Sequence, residues 1–155
     1  MTTDKTIRPT TPDDLPALKK IIDGTELFPS DLLDDMTAGY FANDEEGGCW
    51  LTYDDSKPVA VAYYVPERMT EGTWNALLLA VRPERQGKGL GAALMRHVEQ
   101  TLAERGERVL LVETSGLDAF ERTRNFYRKI GYKEEARIRE FYAAGEDKVV
   151  FRKAL

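Results

Sequence analysis

Apolar and polar positions in the first third of the chain follow a pattern that predicts one short strand and two amphipathic helices. Residues 6–8 are typical of an edge strand. Residues 11–14 combine threonine, proline and two aspartates, the usual beginning of a helix, and Ser30 caps a second helix. The predicted apolar stripes are Leu15, Leu18 and Ile22 in the first helix and Leu32, Leu33, Met36 and Tyr40 in the second.

Three strands are predicted next. Residues 49–53 and 59–65 are apolar, β-branched and aromatic, and the polar segment 54–58 between them indicates a hairpin. Residues 73–81 form a third, longer apolar run. Because short connections join the three strands, the sequence predicts an antiparallel meander.

The second half of the chain begins with a glycine-rich turn that leads into an amphipathic helix at 91–105. The continuous apolar run 109–112 is typical of a strand buried on both faces. A strand, a helix and a buried strand in this order predict a right-handed β-α-β crossover with two parallel strands. A helix at 119–130 and a hairpin of 136–142 and 148–153 complete the prediction.

The length of 155 residues favours a single domain over 1–155, with no interdomain linker or repeat. No apolar run approaches the roughly 20 residues that span a bilayer, so no membrane partner is expected. Residues 1–6 lack the apolar core of a signal peptide, and a cytoplasmic location is expected.

Charge is distributed unevenly along the chain. The net charge is −5, but residues 1–72 carry 15 acidic and 6 basic side chains, whereas residues 73–155 carry 12 acidic and 16 basic ones. The second half would suit an anion and the first half a cation such as an amine, and solvated surfaces are the alternative. The acidic total and the absence of a basic stripe argue against a nucleic-acid partner.

Several kinds of chemistry are poorly supported by the composition. The chain has one cysteine, Cys49, and one histidine, His97, so the usual zinc spacings are absent and no metal site is expected. Cysteine–histidine and serine–histidine–aspartate hydrolases are disfavoured for the same reason. Cys49 is expected to be a buried strand residue and His97 a solvated helix residue.

The glycine-rich turn is the strongest chemical signal, because its glycines stand where a helix begins and where free N–H groups can bind a phosphate. The turn lacks the G-x-x-x-x-G-K-[ST] pattern of a P-loop. Gly87, Gly89 and Ala92 do satisfy the dinucleotide pattern G-x-G-x-x-A, with Glu113 ending the next strand. Residues 82–86 and the preceding antiparallel strands count against that alternative.

A second pattern fits more closely. Gln86, Gly89 and Gly91 resemble the coenzyme A signature Q/R-x-x-G-x-G/A of the GNAT N-acetyltransferase family. Residues 125–132 resemble that family's second motif, a helix ending in an aromatic residue, tyrosine, three residues, glycine and an aromatic residue. The resemblance implies an α/β (α+β) GNAT fold: a mixed, mostly antiparallel sheet of six or seven strands with about four helices, splayed at the two central parallel strands.

The resemblance also implies a site for acetyl-CoA as the acyl donor. Its pyrophosphate would be bound by backbone N–H groups of Gly87, Lys88, Gly89, Leu90 and Gly91, with Gln86 as part of the signature. Glycine there would let the phosphates approach the backbone. By the same resemblance, the pantetheine arm lies in the gap between the central strands and pairs with backbone groups of Leu79 and Val81.

The catalytic residues are assigned by analogy as well. Tyr127 matches the family tyrosine that protonates the departing thiolate, and a core aromatic is the alternative. Where some members carry a basic carboxylate, this chain has Asn75. Glu113 is the substitute candidate for the base, and a salt-bridged or merely exposed Glu113 is the alternative. Phe120 replaces an asparagine found in many relatives, which leaves that cofactor contact without a counterpart.

The resemblance therefore implies an acetyl-CoA-dependent N-acetyltransferase that transfers the acetyl group directly to a primary amine, with a small-molecule acceptor favoured and a homodimer as an open alternative. A non-catalytic acyl-CoA sensor, a protein N-acetyltransferase and a dinucleotide-binding oxidoreductase remain competing hypotheses. Acceptor choice is expected to involve Tyr40, Phe41, Glu67, Trp74, Phe141 and Tyr142.

Overall fold

The computed structural model describes residues 5–44 and 47–155. Residues 1–4 lie outside the described residues. They belong to the segment 1–6 for which no signal peptide is expected. No helix within the described ranges is long and apolar enough to cross a bilayer. The helices are α1 (Leu15–Thr25), α2 (Leu33–Phe41), α3 (Leu90–Glu104) and α4 (Glu121–Lys129).

Within residues 5–44 and 47–155, seven strands form one mixed sheet. The strands are β1 (Lys5–Pro9), β2 (Cys49–Asp55), β3 (Pro58–Pro66), β4 (Thr73–Val81), β5 (Val109–Ser115), β6 (Lys133–Ala143) and β7 (Glu146–Ala154). Their spatial order is β1-β2-β3-β4-β5-β7-β6, and among the strand pairs of the described residues only β4–β5 is parallel. The predicted meander, crossover and C-terminal hairpin are thereby confirmed.

Two helical layers cover opposite faces of the sheet because successive side chains of a strand point to opposite faces. On β3, Val61 packs with the apolar side chains of α1 and α2, whereas Ala60 and Ala62 pack with those of α3 and α4. The fully buried residues Leu18, Ile21 and Ile22 of α1 and Leu94, Met95, Val98 and Leu102 of α3 form the helical sides of the two cores. Leu18 and Ile22 belong to the apolar stripe predicted for the first helix, and Ile21 extends it.

The central strands diverge halfway along their length. Strands β4 and β5 pair only from Thr73 opposite Val109 to Ala76 opposite Val112. The pairing of β4 with β3 slips next to this point, so that Tyr63 faces Leu78 and Tyr64 faces Ala76. Such a bulge increases local twist and turns β4 away from its neighbour. The result is a V-shaped gap, which confirms the predicted splay.

An ion-pair network anchors the N-terminal strand to the beginning of α1. The two terminal guanidinium nitrogens of Arg8, Nη1 and Nη2, each donate to the Asp14 carboxylate at 2.8 Å. The Thr11 N–H donates to the same group at 2.8 Å. Burial by itself would raise the pKa of Asp14, but the hydrogen bonds from Arg8 and Thr11 outweigh it and hold that pKa below its usual value of 3.8.

Asp14→Asn is expected to lower the free energy of unfolding by about 1–3 kcal/mol at neutral pH, because the charge-assisted hydrogen bonds are lost. A lowered folded-state pKa gives stability that is present above the unfolded pKa and is lost as the pH falls through the folded value. Denaturant titrations should therefore show the difference from wild type shrinking below about pH 3.8. Asp13→Asn is the control, since Asp13 is exposed, and equal losses in both variants would contradict the assignment.

Candidate functional site

The glycine turn between β4 and α3 has the shape of an anion site. Gly87 and Gly89 adopt φ values of 75° and 84°, which are unfavourable for other residues. Within the described residues, the N–H groups of residues 87–89 donate to no backbone carbonyl outside the turn. A Cβ built on Gly89 would have nothing within 4 Å. The turn therefore presents free donors and open space at the N-terminus of a 15-residue helix.

Contacts around the turn fix its orientation. The Gln86 side-chain amide donates to the Val81 carbonyl at 3.1 Å, which ties the turn to the end of β4. Arg85 donates to the Asp55 carboxylate at 2.8 Å. Gly91 allows α3 to approach α4, because a Cβ there would lie 3.3 Å from the Phe126 ring. These contacts hold the turn next to the end of β4, the end of β2 and helix α4.

Two cations stand near the predicted phosphate position. Lys88 is exposed within the turn itself. Arg122, in the first turn of α4, has its Nη2 3.8 Å from the position of a Cβ on Gly87. Arg122 has no signal in the sequence as part of this site, because 35 residues separate it from Gly87 and only the packing of α4 beside the turn brings the two together.

The backbone of β4 faces the gap at the two predicted positions. The Arg82 N–H donates to the Val59 carbonyl at 2.9 Å, and Val81 lies opposite Ala60. In an antiparallel ladder this register makes Val81 and Leu79 the residues whose N–H and C=O groups point away from β3. Both residues therefore offer backbone groups to a ligand in the gap, with the Val81 carbonyl already bonded to Gln86.

A cleft of about 310 Å³ lies at the gap and reaches both helical layers. On the side of α4, Phe120, Thr123 and Tyr127 line it; on the side of α1 and α2, Leu27, Phe28 and Met36 do so. The strand residues in the lining are Ala76, Leu77, Leu78 and Leu79 of β4 and Val112, Glu113 and Thr114 of β5. The structure therefore brings Tyr127, Glu113 and Leu79 to one cavity.

Tyr127 extends from α4 into the cleft and is 6% exposed. Its ring packs edge-on against Phe126 and Tyr132, with centroids 5.1 and 5.9 Å away. Burial raises the pKa of the Tyr127 phenol, and within the described chain no charged or hydrogen-bonding neighbour opposes that shift. The hydroxyl therefore keeps its proton at neutral pH and can act as a donor in the cleft.

Glu113 reaches the cleft from the opposite strand and is ion-paired. Its Oε2 lies 2.7 Å from the Lys148 ammonium, which sits 4.1 Å above the Phe141 ring. Glu113 is therefore salt-bridged, which is one of the alternatives that the sequence leaves open. Burial, followed by the charge of Glu113, raises the pKa of Tyr142, so this tyrosine is also within electrostatic reach of the carboxylate. Its assignment as the base stays a prediction.

Asn75 occupies a buried position on β4 and is 2% exposed. Its side-chain amide donates to Glu67 Oε1 at 3.0 Å, so a carboxylate from the end of β3 lies beside the residue that some family members replace with an acid. Neither Asn75 nor Glu67 lines the cleft. Phe120 does line it, at the position where many relatives carry asparagine.

The six residues proposed for acceptor choice lie outside the cleft lining. Trp74 packs against Tyr64 with ring centroids 5.7 Å apart, in the core beneath α3 and α4. The Tyr40 hydroxyl donates to the Thr10 carbonyl at 2.9 Å. Leu27 and Phe28 do line the cleft, and their only signal in the sequence is that they form an apolar pair between two predicted helices.

No group of three or more potential metal ligands occurs among residues 5–44 and 47–155. Cys49 is half-buried at the beginning of β2. His97 lies on α3, away from the cleft lining.

Comparisons with known proteins agree with this geometry. Residues 45–134 match the family model of the acetyltransferase (GNAT) domain. An uncharacterized N-acetyltransferase of Methanocaldococcus jannaschii is 31% identical over 111 residues, which cover 66% of this chain and 69% of that protein.

Solved structures share the fold. A GNAT-family protein from Desulfovibrio desulfuricans superposes with a TM-score of 0.89 at 30% identity, covering 97% of this chain and 98% of its own. A Salmonella typhimurium protein solved with its cofactor acetyl-CoA superposes with a TM-score of 0.76 at 19% identity, covering 97% and 94% of the two chains. At that identity the second comparison supports the fold alone.

Proposed function

Because this chain belongs to the GNAT acetyltransferase family, we propose that it transfers the acetyl group of acetyl-CoA directly to a primary amine of a small molecule. The single observation that carries the proposal is the cleft at the splay of β4 and β5, where a buried phenol and a carboxylate line one cavity beside the glycine turn. An acid and a base on opposite walls suit a reaction that removes one proton and returns another.

The residues at the turn fit a phosphorylated donor. Gly89 leaves open space at its Cβ position, Gly87 and Gly89 hold the positive φ values that aim N–H groups outward, and Lys88 and Arg122 add positive charge. Acetyl-CoA, when bound, would supply the activated acetyl thioester. Leu79 and Val81 would orient the pantetheine arm through their backbone groups.

Proton movement follows from the protonation states of the side chains. An alkylammonium has a pKa near 10, so it must lose a proton before its nitrogen can attack. Glu113 would receive that proton, directly or through water. Tyr127, whose pKa burial raises, would return a proton from Oη to the leaving sulfur.

Isothermal titration with acetyl-CoA, followed by measurement of thiol release with a panel of amines, tests the function. Binding with turnover of a free amine supports the proposal. Tight binding without turnover of any amine or peptide would favour the acyl-CoA sensor, and turnover of peptides alone would favour a protein N-acetyltransferase. Binding of a nicotinamide cofactor instead would support the dinucleotide alternative.

Glu113→Gln is expected to lower kcat/KM about tenfold at neutral pH, because the amide cannot take the proton of the ammonium. The difference in kcat/KM between the variant and the wild type should shrink as the pH approaches about 10, where the amine is already deprotonated. Initial rates measured over this pH range would show the convergence.

Two variants separate catalysis from structure in this experiment. Glu104→Gln changes an exposed carboxyl at the end of α3 and should have no effect. Lys148→Met breaks the same ion pair but keeps the carboxylate. An equal, pH-independent loss in Glu113→Gln and Lys148→Met would mean that Glu113 serves only as the partner of Lys148.

A further inference from the structure

Apolar side chains line the side of the cleft that opens towards α1 and α2. Leu27 and Phe28 come from the connection after α1, Met36 comes from α2, and Leu77 comes from β4. Leu27 and Leu77 are 45% and 50% exposed, and both line the cleft. Exposed apolar surface continuous with a cavity is typical of a binding site for an apolar group.

None of the described acidic residues of the first half lines this cleft, and ion pairs engage four of them. In each case the carboxylate lies within about 3 Å of its partner. The pairs are Asp14 and Asp54 with Arg8, Asp34 with Lys19, and Asp55 with Arg85. The acidic half of the chain is therefore a poor guide to the charge of the acceptor.

The cleft offers a cation one carboxylate. Among the described residues, Glu113 is the one charged side chain in the lining, and Lys148 stands 2.7 Å behind it. A single ammonium group can face the Glu113 carboxylate. A second ammonium on the same molecule would lie against hydrocarbon or approach Lys148, and burying an unpaired charge is costly.

We propose that the acceptor is a primary monoamine that carries an aliphatic or aromatic group, with its nitrogen at Glu113 and its hydrocarbon against Leu27, Met36 and Leu77. This inference rests on the proposed acetyltransferase function. In the transfer, the nitrogen forms an amide bond with the acetyl carbon while the carbon–sulfur bond breaks. Glu113 takes the proton that the ammonium loses before attack and releases it to solvent. Tyr127 protonates the leaving sulfur, and the phenolate so formed takes up the second proton that the nitrogen loses as the amide forms.

A matched pair of amines tests the inference. Hexylamine and cadaverine have the same number of non-hydrogen atoms and differ in a terminal methyl or ammonium group. We expect kcat/KM to be at least about tenfold higher for hexylamine, because its methyl end is buried against hydrocarbon, whereas the second ammonium of cadaverine would have no partner there.

A matched pair of variants assigns the selectivity to the cleft. Leu27→Glu adds a carboxylate to the apolar wall and is expected to lower the hexylamine-to-cadaverine ratio about tenfold or more. Leu32→Glu makes the same change at a leucine that is 46% exposed in the neighbouring segment but does not line the cleft, and the ratio should stay at the wild-type value. Both sites are exposed, so both variants should fold, as circular dichroism would verify.

The outcomes distinguish this inference from the function on which it rests. The inference is supported if the wild type prefers hexylamine, Leu27→Glu loses that preference and Leu32→Glu retains it. Acetyl-CoA binding with equal or faster turnover of cadaverine, or an unchanged ratio in Leu27→Glu, overturns the inference and leaves the acetyltransferase function standing. Absence of acetyl-CoA binding by calorimetry, or binding without turnover of any amine, overturns both.

Discussion

Gly89→Leu is expected to weaken acetyl-CoA binding by at least on the order of a hundredfold. The Cβ of the new side chain would enter open space at the N-terminus of α3, since nothing lies within 4 Å of that position. That space is where a pyrophosphate would meet the free N–H groups of the turn, and a side chain there blocks its approach. Isothermal titration calorimetry of the purified variant measures the loss.

A second glycine at the other end of the same helix separates this effect from backbone strain. Gly106 has a φ of 81°, close to the 84° of Gly89, and a Cβ there also meets nothing within 4 Å. Gly106→Leu should therefore destabilise the fold by a similar amount, about 1 kcal/mol, and leave acetyl-CoA affinity unchanged. Wild-type affinity in Gly89→Leu would show that the phosphate pocket lies elsewhere.

Tyr127→Phe is expected to lower kcat on the order of tenfold or more while acetyl-CoA affinity stays nearly unchanged. The phenylalanine keeps the ring that packs against Phe126 and Tyr132 but removes the hydroxyl in the cleft. Without that donor, the thiolate leaves without a proton from the enzyme. Steady-state kinetics with the best amine from the panel, together with titration calorimetry, would resolve the two quantities.

A nearby tyrosine provides the control for this second experiment. The Tyr132 hydroxyl donates to Glu99 at 2.7 Å, and Glu99 in turn accepts from Lys153 at 2.9 Å, in a network outside the cleft lining. Tyr132→Phe should lower the free energy of unfolding by about 1 kcal/mol but leave kcat at the wild-type level. If Tyr127→Phe retains full kcat, Tyr127 is a core aromatic and the acid must be another group.

Local patterns were enough to predict the elements of this fold. The spacing of Leu15, Leu18 and Ile22 predicts α1 because side chains three to four residues apart share one helix face. The apolar run at 109–112 predicts a strand buried on both faces. Strand β5 lies inside the sheet between β4 and β7, with Leu110 and Val112 buried and Leu111 partly buried. Such signals depend only on neighbours in sequence, so they are visible without coordinates.

The glycine turn was predicted for a similar reason. Positive φ values at Gly87 and Gly89 are properties of single residues, and glycine is the residue type that adopts them at least cost. The position of Tyr127 in a helix that ends at a glycine is also a short-range pattern. Their meeting at one gap, however, depends on the parallel pairing of β4 with β5.

Other features of the site have no local signal. Arg122 lies beside Gly87 only because α4 packs next to the turn, and Glu113 meets Lys148 only because β5 pairs with β7. Sequence distance does not constrain such contacts, since they arise from the register of strands and the packing of helices. The packing of Trp74 has no local signal either, because it is the register of β4 that turns its ring towards the core beneath α3 and α4.

The sequence by itself thus determined the element order, the family, and the two motifs that carry the glycine turn and Tyr127, because each depends on residue types at short and regular spacing. Only the tertiary structure decided what surrounds them: Glu113 paired with Lys148, the acidic residues engaged by Arg8, Lys19 and Arg85, and a wall of Leu27, Met36 and Leu77. Charge counts along a chain do not reveal which charges neutralise one another in space. That distinction changes the proposed acceptor from a small amine chosen for its charge to a primary monoamine that carries an apolar group.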